Sequence, residues 1–398
     1  MKLIEYKQYN NDSSEEKTLN KKKVFIAIFV VIAIMVISTI SVIYVKNSNF
    51  RNFMDKYLLM KSVTENNLPS ISIDNEDNLN IYAYHNYIAI LKNNELSIYN
   101  STAKKEETLQ INISSPIFST EGNYLAIAEK SKQKIYLIKD KKIIWEKNVE
   151  GEISRISVNK NGYVSVIVSG TSYKSVILTY TTDGAELFKT YLSSTIAIDS
   201  DISDDNKYLS FCETDLSSNL LELKVKTVLI ENAKNNPENS IIHTYEIPKD
   251  YILVNLEYNS KNNLMCMCDE AILRLSEGNI EVLSELKQSN IEFAGIKTEN
   301  SYFRVIGNMN GINNQSSELE IYNVLKNIKY TYNIPGIPKQ VYSHNNVIVL
   351  NLGSEAYFIN EKGWLIKKYI SKQEIKNVVI SENIAGIIYK NKVEILDF

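Results

Sequence analysis

The sequence is poor in the residues that build most catalytic and metal sites. Its 398 residues include 3 cysteines, 3 histidines, 2 tryptophans, 13 glycines and 6 prolines. No HExxH, GxSxG, CxxC or phosphate-loop pattern occurs. A net charge of −3 excludes the basic field on which sequence-independent nucleic-acid binding depends. We therefore predict no catalytic, cofactor-binding or metal-binding residue, no enzymatic activity and no nucleic-acid partner.

The few cysteines and histidines fit structural positions better than a site. Three cysteines cannot form a disulfide framework, and a strand would point Cys266 and Cys268 to the same face. Together with Cys212 they are predicted to be small buried apolar residues. His85 and His344 fall at equivalent turns and are predicted to be solvated turn residues; a metal site shared by them would need acidic partners that the sequence does not identify.

One long apolar run lies near the N-terminus. Residues 24–45 (VFIAIFVVIAIMVISTISVIYV) carry no charge over 22 positions. As a helix they span about 33 Å, enough for a hydrocarbon core of roughly 30 Å. A cleaved signal peptide would have a shorter apolar region and a cleavage site of small residues. The run is predicted to be a transmembrane helix that is not removed.

Positive charges cluster on the N-terminal side of this run, where Lys21, Lys22 and Lys23 abut it. The positive-inside rule then predicts a cytoplasmic N-terminus and an extracytoplasmic C-terminal part, in a single-pass protein of the cell membrane. Four segments follow: a cytoplasmic tail (1–23), the transmembrane helix (24–45), a juxtamembrane stalk (46–69) and an extracytoplasmic domain (70–398). Helical spacing of aromatic residues within 47–67 predicts a helical stalk, with an interfacial helix at the headgroups as the alternative.

From residue 70 onward the hydrophobic period is two, which indicates strands. Runs such as YIAIL (87–91), YLAIAE (124–129) and VSVIVS (164–169) alternate with turns rich in Asn, Asp and Gly. The stretch STEGNYLAIAEK (119–130) has an echo in NKNGYVSVIVSG (159–170), about 40 residues later. An interval of about 40 residues is the length of one propeller blade.

Units start near 80, 114, 154, 198, 251, 290, 337 and 375. Each holds up to four antiparallel strands, so the domain is predicted to be all-β, an eight-bladed β-propeller, with seven blades as the alternative. The last unit lacks a strand before Phe398. The segment SISID (70–74) is predicted to supply it by pairing beside VEILDF (393–398), because an open ring would expose strand edges.

The second hairpins of the units, DKKIIWEKN, TDGAELFKT and NEKGWLIKK, resemble the pyrroloquinoline-quinone-type repeat of quinoprotein propellers and, more loosely, WD40-like propellers. The resemblance implies a propeller fold; no position matches the cofactor or calcium ligands of the quinoprotein enzymes. The layout of short basic tail, one membrane helix and divergent propeller resembles uncharacterised single-pass membrane proteins of low-GC Gram-positive bacteria. That resemblance implies a place in the cell envelope.

Function is expected in the longer loops, because a propeller scaffold is fixed and loops carry recognition. The connections between second and third strands at 169–175, 213–219 and 307–318 are expanded, and Tyr173, Asp215, Asn310 and Asn314 are the predicted partner contacts. We expect a non-enzymatic binding or scaffold module that meets an envelope protein or a glycan. The alternatives are a quinoprotein-like enzyme and a transmembrane sensor that relays to a cytoplasmic partner.

Overall fold

The computed structural model describes residues 21–59, 61–73, 79–170, 172–217, 222–249, 251–259, 262–287, 290–296, 300–309 and 315–398. The chain divides into two compact units, Met1–Met60 and Lys61–Phe398. The predicted contacts Asn310 and Asn314 lie outside the described residues.

The first unit contains two helices, α1 (Lys21–Lys46) and α2 (Ser48–Tyr57). Within α1, Phe25–Lys46 is 22 residues long with a mean hydropathy of 3.0, so its length and composition suffice to cross a membrane. A signal sequence near the N-terminus passes the same test of length and composition. The side chain of Asn47 caps α2 by accepting a hydrogen bond from the Phe50 N–H at 3.0 Å. The helix predicted within 47–67 ends at Tyr57.

The second unit is an eight-bladed β-propeller, as predicted. Two short strands come first, β1 (Ser62–Thr64) and β2 (Ser70–Ser72). Each blade then adds strands in chain order. The first four blades comprise β3 (Asn80–Tyr84), β4 (Tyr87–Lys92), β5 (Glu95–Tyr99) and β6 (Lys105–Gln110); β7 (Pro116–Glu121), β8 (Tyr124–Glu129), β9 (Lys134–Lys139) and β10 (Lys142–Asn148); β11 (Glu152–Val158), β12 (Val164–Ser169), β13 (Ser175–Tyr180) and β14 (Glu186–Leu192); β15 (Ile196–Ile202), β16 (Tyr208–Thr214), β17 (Leu223–Leu229) and β18 (Ile241–Glu246).

The last four blades close the ring. They comprise β19 (Leu253–Tyr258), β20 (Leu264–Cys268), β21 (Ala271–Ser276) and β22 (Asn279–Glu285); β23 (Ile291–Gly295), β24 (Ser301–Met309), β25 (Gln315–Asn323) and β26 (Ile328–Ile334); β27 (Gln340–His344), β28 (Val347–Asn351), β29 (Glu355–Asn360) and β30 (Leu365–Ile370); β31 (Asn377–Ile380), β32 (Ile384–Ile388) and β33 (Lys392–Asp397). A helix α3 (Ile230–Asn235) and a 3-10 helix (Pro237–Asn239) lie between β17 and β18.

The core lies between the blades. The described residues form eight apolar clusters, and each cluster joins two neighbouring blades. Middle strands such as β8 and β12 are buried on both faces, which is why YLAIAE and VSVIVS read as continuous apolar runs. All three cysteines are buried in the cluster between blades 4 and 5, and the sulfurs of Cys266 and Cys268 lie 3.8 Å apart on one face. Both cysteine predictions are confirmed.

The repeated glycine turn also contributes to blade docking. Gly122 and Gly162 have φ of +51° and +79°, in the left-handed region that favours glycine. A Cβ on Gly162 would lie 2.5 Å from Cε1 of Tyr124 in the preceding blade. Glycine therefore recurs in this turn because the backbone has a positive φ there. In blade 3, glycine also leaves room for Tyr124 of blade 2.

The ring closes through the segment that follows α2. Strand β2 pairs antiparallel with β33, with Ser70 opposite Glu394 and Ser72 opposite Lys392, as the sequence predicts. Strand β1 pairs parallel with β30, with Ser62 opposite Lys368. Thus β1, which falls in the stretch assigned to the stalk, adds a fifth strand to blade 7.

A buried polar network secures this closure. Lys392 Nζ lies 3.0 Å from Glu65 Oε1 and 2.6 Å from Glu394 Oε1. The Tyr369 hydroxyl donates to Glu394 Oε2 at 2.6 Å, and the Asn66 N–H donates to Glu394 Oε1 at 3.0 Å. Burial alone would raise the pKa of Glu65, but hydrogen bonds from Lys392, the Lys372 N–H and Ser371 lower it to about 2.

Candidate functional site: the central channel and one rim of the ring

The innermost strands of the blades surround a central channel. Its larger cavity has a volume of about 620 Å³ and is lined mainly by β7, β11, β15 and β19. Most of the side chains on this wall are polar, although the blade interfaces behind them are apolar. The cavity is within the size range of small-molecule sites, roughly 300–1,000 Å³.

Repeated bulges aim polar side chains into this channel. In β11, β15, β19 and β23 the pairing register shifts at the same place, immediately before Arg155, Asp199, Asn255 and Phe293. A bulge adds one unpaired residue and reorients the side chain that follows it. Arg155, Asp199 and Asn255 consequently occupy equivalent positions in three consecutive blades, and Ser157, Asp201 and Glu257 form the next row.

An ion pair occupies the first row. Arg155 donates from Nε to Asp199 Oδ1 at 2.8 Å and from Nη2 to Oδ2 at 3.0 Å. Asp199 also accepts the Leu256 N–H of the following blade at 3.2 Å. Burial raises the pKa of Asp199, and the guanidinium of Arg155 opposes that rise. The first row thus joins three blades through one carboxylate.

Asp201 repeats this arrangement in the second row without a cation. Its Oδ1 accepts the Ser157 hydroxyl at 2.8 Å and its Oδ2 accepts the Tyr258 N–H at 2.8 Å. Burial first, and then the nearby charge of Glu257, raise the pKa of Asp201 to about 8. The raised pKa favours the protonated form of Asp201 at neutral pH.

These contacts have a common structural cause. An innermost strand is an edge strand, so every second backbone N–H faces the channel without a partner in its own sheet. Side-chain oxygens of the preceding blade satisfy these groups: Asp199 at Leu256, Asp201 at Tyr258, and Ser119 Oγ at the Val158 N–H, 3.1 Å away. The polar wall is thus part of how the ring is held together.

The wall does not fit the calcium ion of quinoprotein enzymes. Calcium takes six to eight oxygen ligands, roughly, including several carboxylates. Within the described ranges, no group of three or more His, Cys, Asp or Glu side chains could hold a metal ion. The Asp199 and Asp201 oxygens already accept hydrogen bonds from protein groups.

A second cavity of about 510 Å³ adjoins the first and is lined by blades 1, 7 and 8. Its wall is more apolar, with Ile81, Val379 and Ile380 among its residues, and Phe118 and Thr120 line both cavities. Phe118 is 51% exposed and its ring centroid lies 4.5 Å from that of Tyr82. Tyr82 also lines the second cavity, is 2% exposed, and has a hydroxyl with no hydrogen-bond partner in the described part of the chain.

The two ends of the channel differ. In a four-stranded antiparallel blade, the connection between strands 1 and 2 lies at one end and that between strands 2 and 3 at the other; we name these ends the 1–2 rim and the 2–3 rim. On the 1–2 rim, the Asn345 amide of blade 7 donates to Glu121 of blade 2 at 3.3 Å and to Glu382 of blade 8 at 2.9 Å. This bridge narrows the channel there, and the α3 insertion is on the same rim.

The 2–3 rim carries exposed apolar side chains in three consecutive blades. They are Tyr173 (40% exposed) and Tyr191 (53%) in blade 3, Leu216 (61%) in blade 4, and Ile252 (56%) and Val254 (53%) in blade 5. The rings of Tyr173 and Tyr191 contact each other, with centroids 4.6 Å apart. Single exposed apolar residues are ordinary, whereas here five lie on one rim of three adjacent blades.

Two of the predicted partner contacts lie on this rim. Tyr173 is in the connection between β12 and β13, and Asp215 follows β16 in the next blade. Asp215 Oδ1 accepts the Ser217 N–H at 2.9 Å and its hydroxyl at 2.7 Å, and these hydrogen bonds lower the pKa of Asp215. Asp215 therefore also shapes its own loop. Strands β24 and β25 extend through 307–309 and 315–318, so much of the predicted 307–318 loop is strand.

The two rows of polar side chains in the channel were not predicted from the sequence. All four charged residues of these rows lie in strands that the period-two pattern identified, but the partners of Arg155, Asp199 and Asp201 in neighbouring blades are 44 or 57 residues away. The available signal was a charged residue at an inward position of consecutive first strands. The prediction of solvated turn histidines is wrong for His344, which ends β27, is 4% exposed and lines the second cavity.

Solved structures share this fold at low sequence identity. Sqt1 of Chaetomium thermophilum superposes with a TM-score of 0.51 and 10% identity, over 83% of this chain and 98% of that one. A eukaryotic initiation factor superposes with a TM-score of 0.50 and 12% identity, over 80% of this chain and 85% of that one. At such identities the likeness shows the β-propeller fold alone.

No curated protein matches the sequence at a significant level. A family model does match, over residues 61–398, which is the whole propeller unit. The chain belongs to DUF5711, a family of unknown function.

Proposed function

We propose that the protein is a membrane-anchored, extracytoplasmic scaffold that uses the 2–3 rim of blades 3–5 to bind another protein of the cell envelope, without catalysing a reaction. The observation that carries the proposal is the set of five exposed apolar side chains on that rim. Helix α1 supplies the anchor, and its lysine-rich N-terminal flank favours the orientation in which the propeller lies outside the cell.

The composition of the rim favours a protein over a glycan. Leu216, Ile252 and Val254 are aliphatic, and aliphatic side chains gain from burial against apolar groups rather than from contact with hydroxyl-rich sugars. Tyr173 and Tyr191 add large, rigid contact area of the kind that dominates protein interfaces. A partner that covers the rim would remove all five side chains from water.

Site-specific crosslinking in cells tests this proposal. A photoreactive residue at position 173 in the full chain is expected to capture one discrete envelope protein. The same residue at Lys362, which is exposed in the 3–4 turn of blade 7 on the 1–2 rim, is the matched control and is expected to capture none. Equal capture at both positions, or no protein adduct at 173, would contradict the proposal.

A double substitution on the rim and a control substitution elsewhere complete the test. Y173A combined with Y191A is expected to weaken capture through Leu216 at least tenfold, because the two largest side chains leave the surface. Ile241 is 47% exposed and begins β18 on the 1–2 rim, so I241A removes a comparable exposed apolar group elsewhere. I241A is expected to leave capture unchanged.

A further inference from the structure

We propose that the central channel is itself a binding site for a small organic cation, an amine or guanidinium group carried on an apolar frame, with the cation at Glu257 and Asp201 and the frame against Phe118. This site is separate from the 2–3 rim and takes a ligand of a different class.

The charge of the larger cavity favours a cation. Its lining includes six carboxyl side chains and three basic ones, and two of the bases are already paired: Arg155 with Asp199, and Lys160 with Asp204 at 2.6 Å. Glu257 accepts only from the neutral amide of Asn255, at 3.0 Å, in the described part of the chain. Among the residues that the structure describes, neither Asp201 nor Glu257 forms an ion pair.

The neighbouring cavity explains the apolar frame. Phe118 lines both cavities, and beyond it the wall is formed by Ile81, Val379 and Ile380. A ligand that extends from Glu257 toward blade 8 would pass from a polar wall onto an apolar one. One channel thus presents a carboxylate and an aromatic face to a ligand.

The protonation of Asp201 links this binding to pH. The groups that face Asp201 are Ser157 from β11, Asp199 from its own strand, and Glu257 and Tyr258 from β19. Its pKa of about 8 means that the carboxyl loses its proton only above neutral pH unless a cation arrives. A bound cation stabilises the carboxylate, so affinity is expected to rise between pH 6 and pH 8.5, while an alkylammonium ligand with a pKa near 10 stays charged.

Tryptamine is a suitable probe, and tryptophol, which replaces the ammonium by a hydroxyl, is its neutral control. Calorimetric titration of the full chain in nanodiscs is expected to show saturable tryptamine binding at least tenfold tighter than tryptophol binding, the value of one hydrogen-bonded charge. Equal binding of the two compounds, or no binding of tryptamine at millimolar concentration, would overturn the proposal.

Variants locate the site. E257Q keeps the size of the side chain and removes its charge, and it is expected to weaken tryptamine binding at least tenfold. E246Q removes a carboxylate that pairs with Lys224 on the outer surface of blade 4 and is expected to change nothing. Unchanged affinity in E257Q would refute the assignment. Y173A with Y191A is expected to bind tryptamine normally, so failure of the rim proposal and failure of the channel proposal are distinguishable.

Discussion

Replacing Gly184 by alanine tests how the blades are docked. Gly184 lies in the turn between β13 and β14 with φ of +82°, and an added Cβ would lie 2.8 Å from Cγ and 2.9 Å from Cδ1 of Trp145 in blade 2. The Trp145 indole N–H donates to the Thr182 carbonyl, 3.1 Å away, in the same turn. The substitution therefore both strains the backbone and displaces a buried tryptophan.

Gly170 provides the matched control. Its φ is +75°, but an added Cβ would be no closer than 3.8 Å to any side chain, that of Glu152. Alanine at positive φ costs about 1 kcal/mol in either position. G184A adds an overpacking cost of about 1–3 kcal/mol and the loss of about 1 kcal/mol from the indole hydrogen bond. We expect G184A to lower the free energy of unfolding by about 3–5 kcal/mol and G170A by about 1 kcal/mol.

Urea unfolding of the full chain, followed by far-ultraviolet circular dichroism, measures both losses. A W364F background leaves Trp145 as the only tryptophan, and its emission is expected to shift to the red in G184A as the indole leaves a site where Trp145 is 8% exposed. G170A is expected to keep the native emission. If the two variants lost equal stability with unchanged emission, the contact between Trp145 and Gly184 would not contribute to docking.

Three further predictions concern the closure and the channel. The pKa of Glu65 is about 2 against 4.5 for an ordinary glutamate, so Glu65 contributes about 3 kcal/mol to the free energy of unfolding above pH 4.5 and loses this contribution between pH 4.5 and 2. E65Q is expected to reduce the dependence of stability on pH in this range, as measured by urea unfolding. An unchanged pH dependence would contradict the role of the network. Asp201 has the opposite effect on the pH dependence of stability, because its folded pKa of about 8 makes the free energy of unfolding fall as pH rises from about 4 to 8. D201N is expected to abolish that fall. If the fall persisted in D201N, Asp201 would not be its source. A chain that begins at residue 61 is expected to elute from gel filtration as a monomer with native circular dichroism. A chain that begins at residue 74 lacks β1 and β2 and is expected to aggregate through the exposed edge of β33. Equal elution of the two chains would show that β1 and β2 are not needed to close the ring.

The blades could be predicted because their signals are local. Alternation in runs such as YIAIL and positive-φ turn residues such as Asp140, Gly184 and Gly363 depend on neighbours within a few positions, and the structure places these turns as expected. The pairing of β2 with β33 was predictable for a different reason. A ring with a three-stranded last blade has one open edge, and the only unused strand-like segment stood directly before the first blade.

The channel could not be predicted in the same way. Arg155 and Asp199 are 44 residues apart, whereas Asp201 and its donor Tyr258 are 57 apart, because blade 4 contains the insertion with α3 and the 3-10 helix. Unequal blade lengths remove the fixed interval that would align the inward positions. The bulges before Arg155, Asp199 and Asn255 add one residue each to the alternation, so a strict period of two places these side chains on the wrong face.

The backbone N–H groups at the edges of the innermost strands determine where the charged side chains of the channel lie. A first strand must satisfy its backbone N–H groups at the channel, and carboxylates of the preceding blade do so at Leu256 and Tyr258. Burying Asp199 for this purpose requires the guanidinium of Arg155, whereas Asp201, which has no such cation, retains a proton instead. In the same row, within the described ranges, Glu257 accepts only from the neutral amide of Asn255. The same geometry that closes blades 3, 4 and 5 against one another therefore leaves an anionic position in the channel, and a ligand cation would complete it.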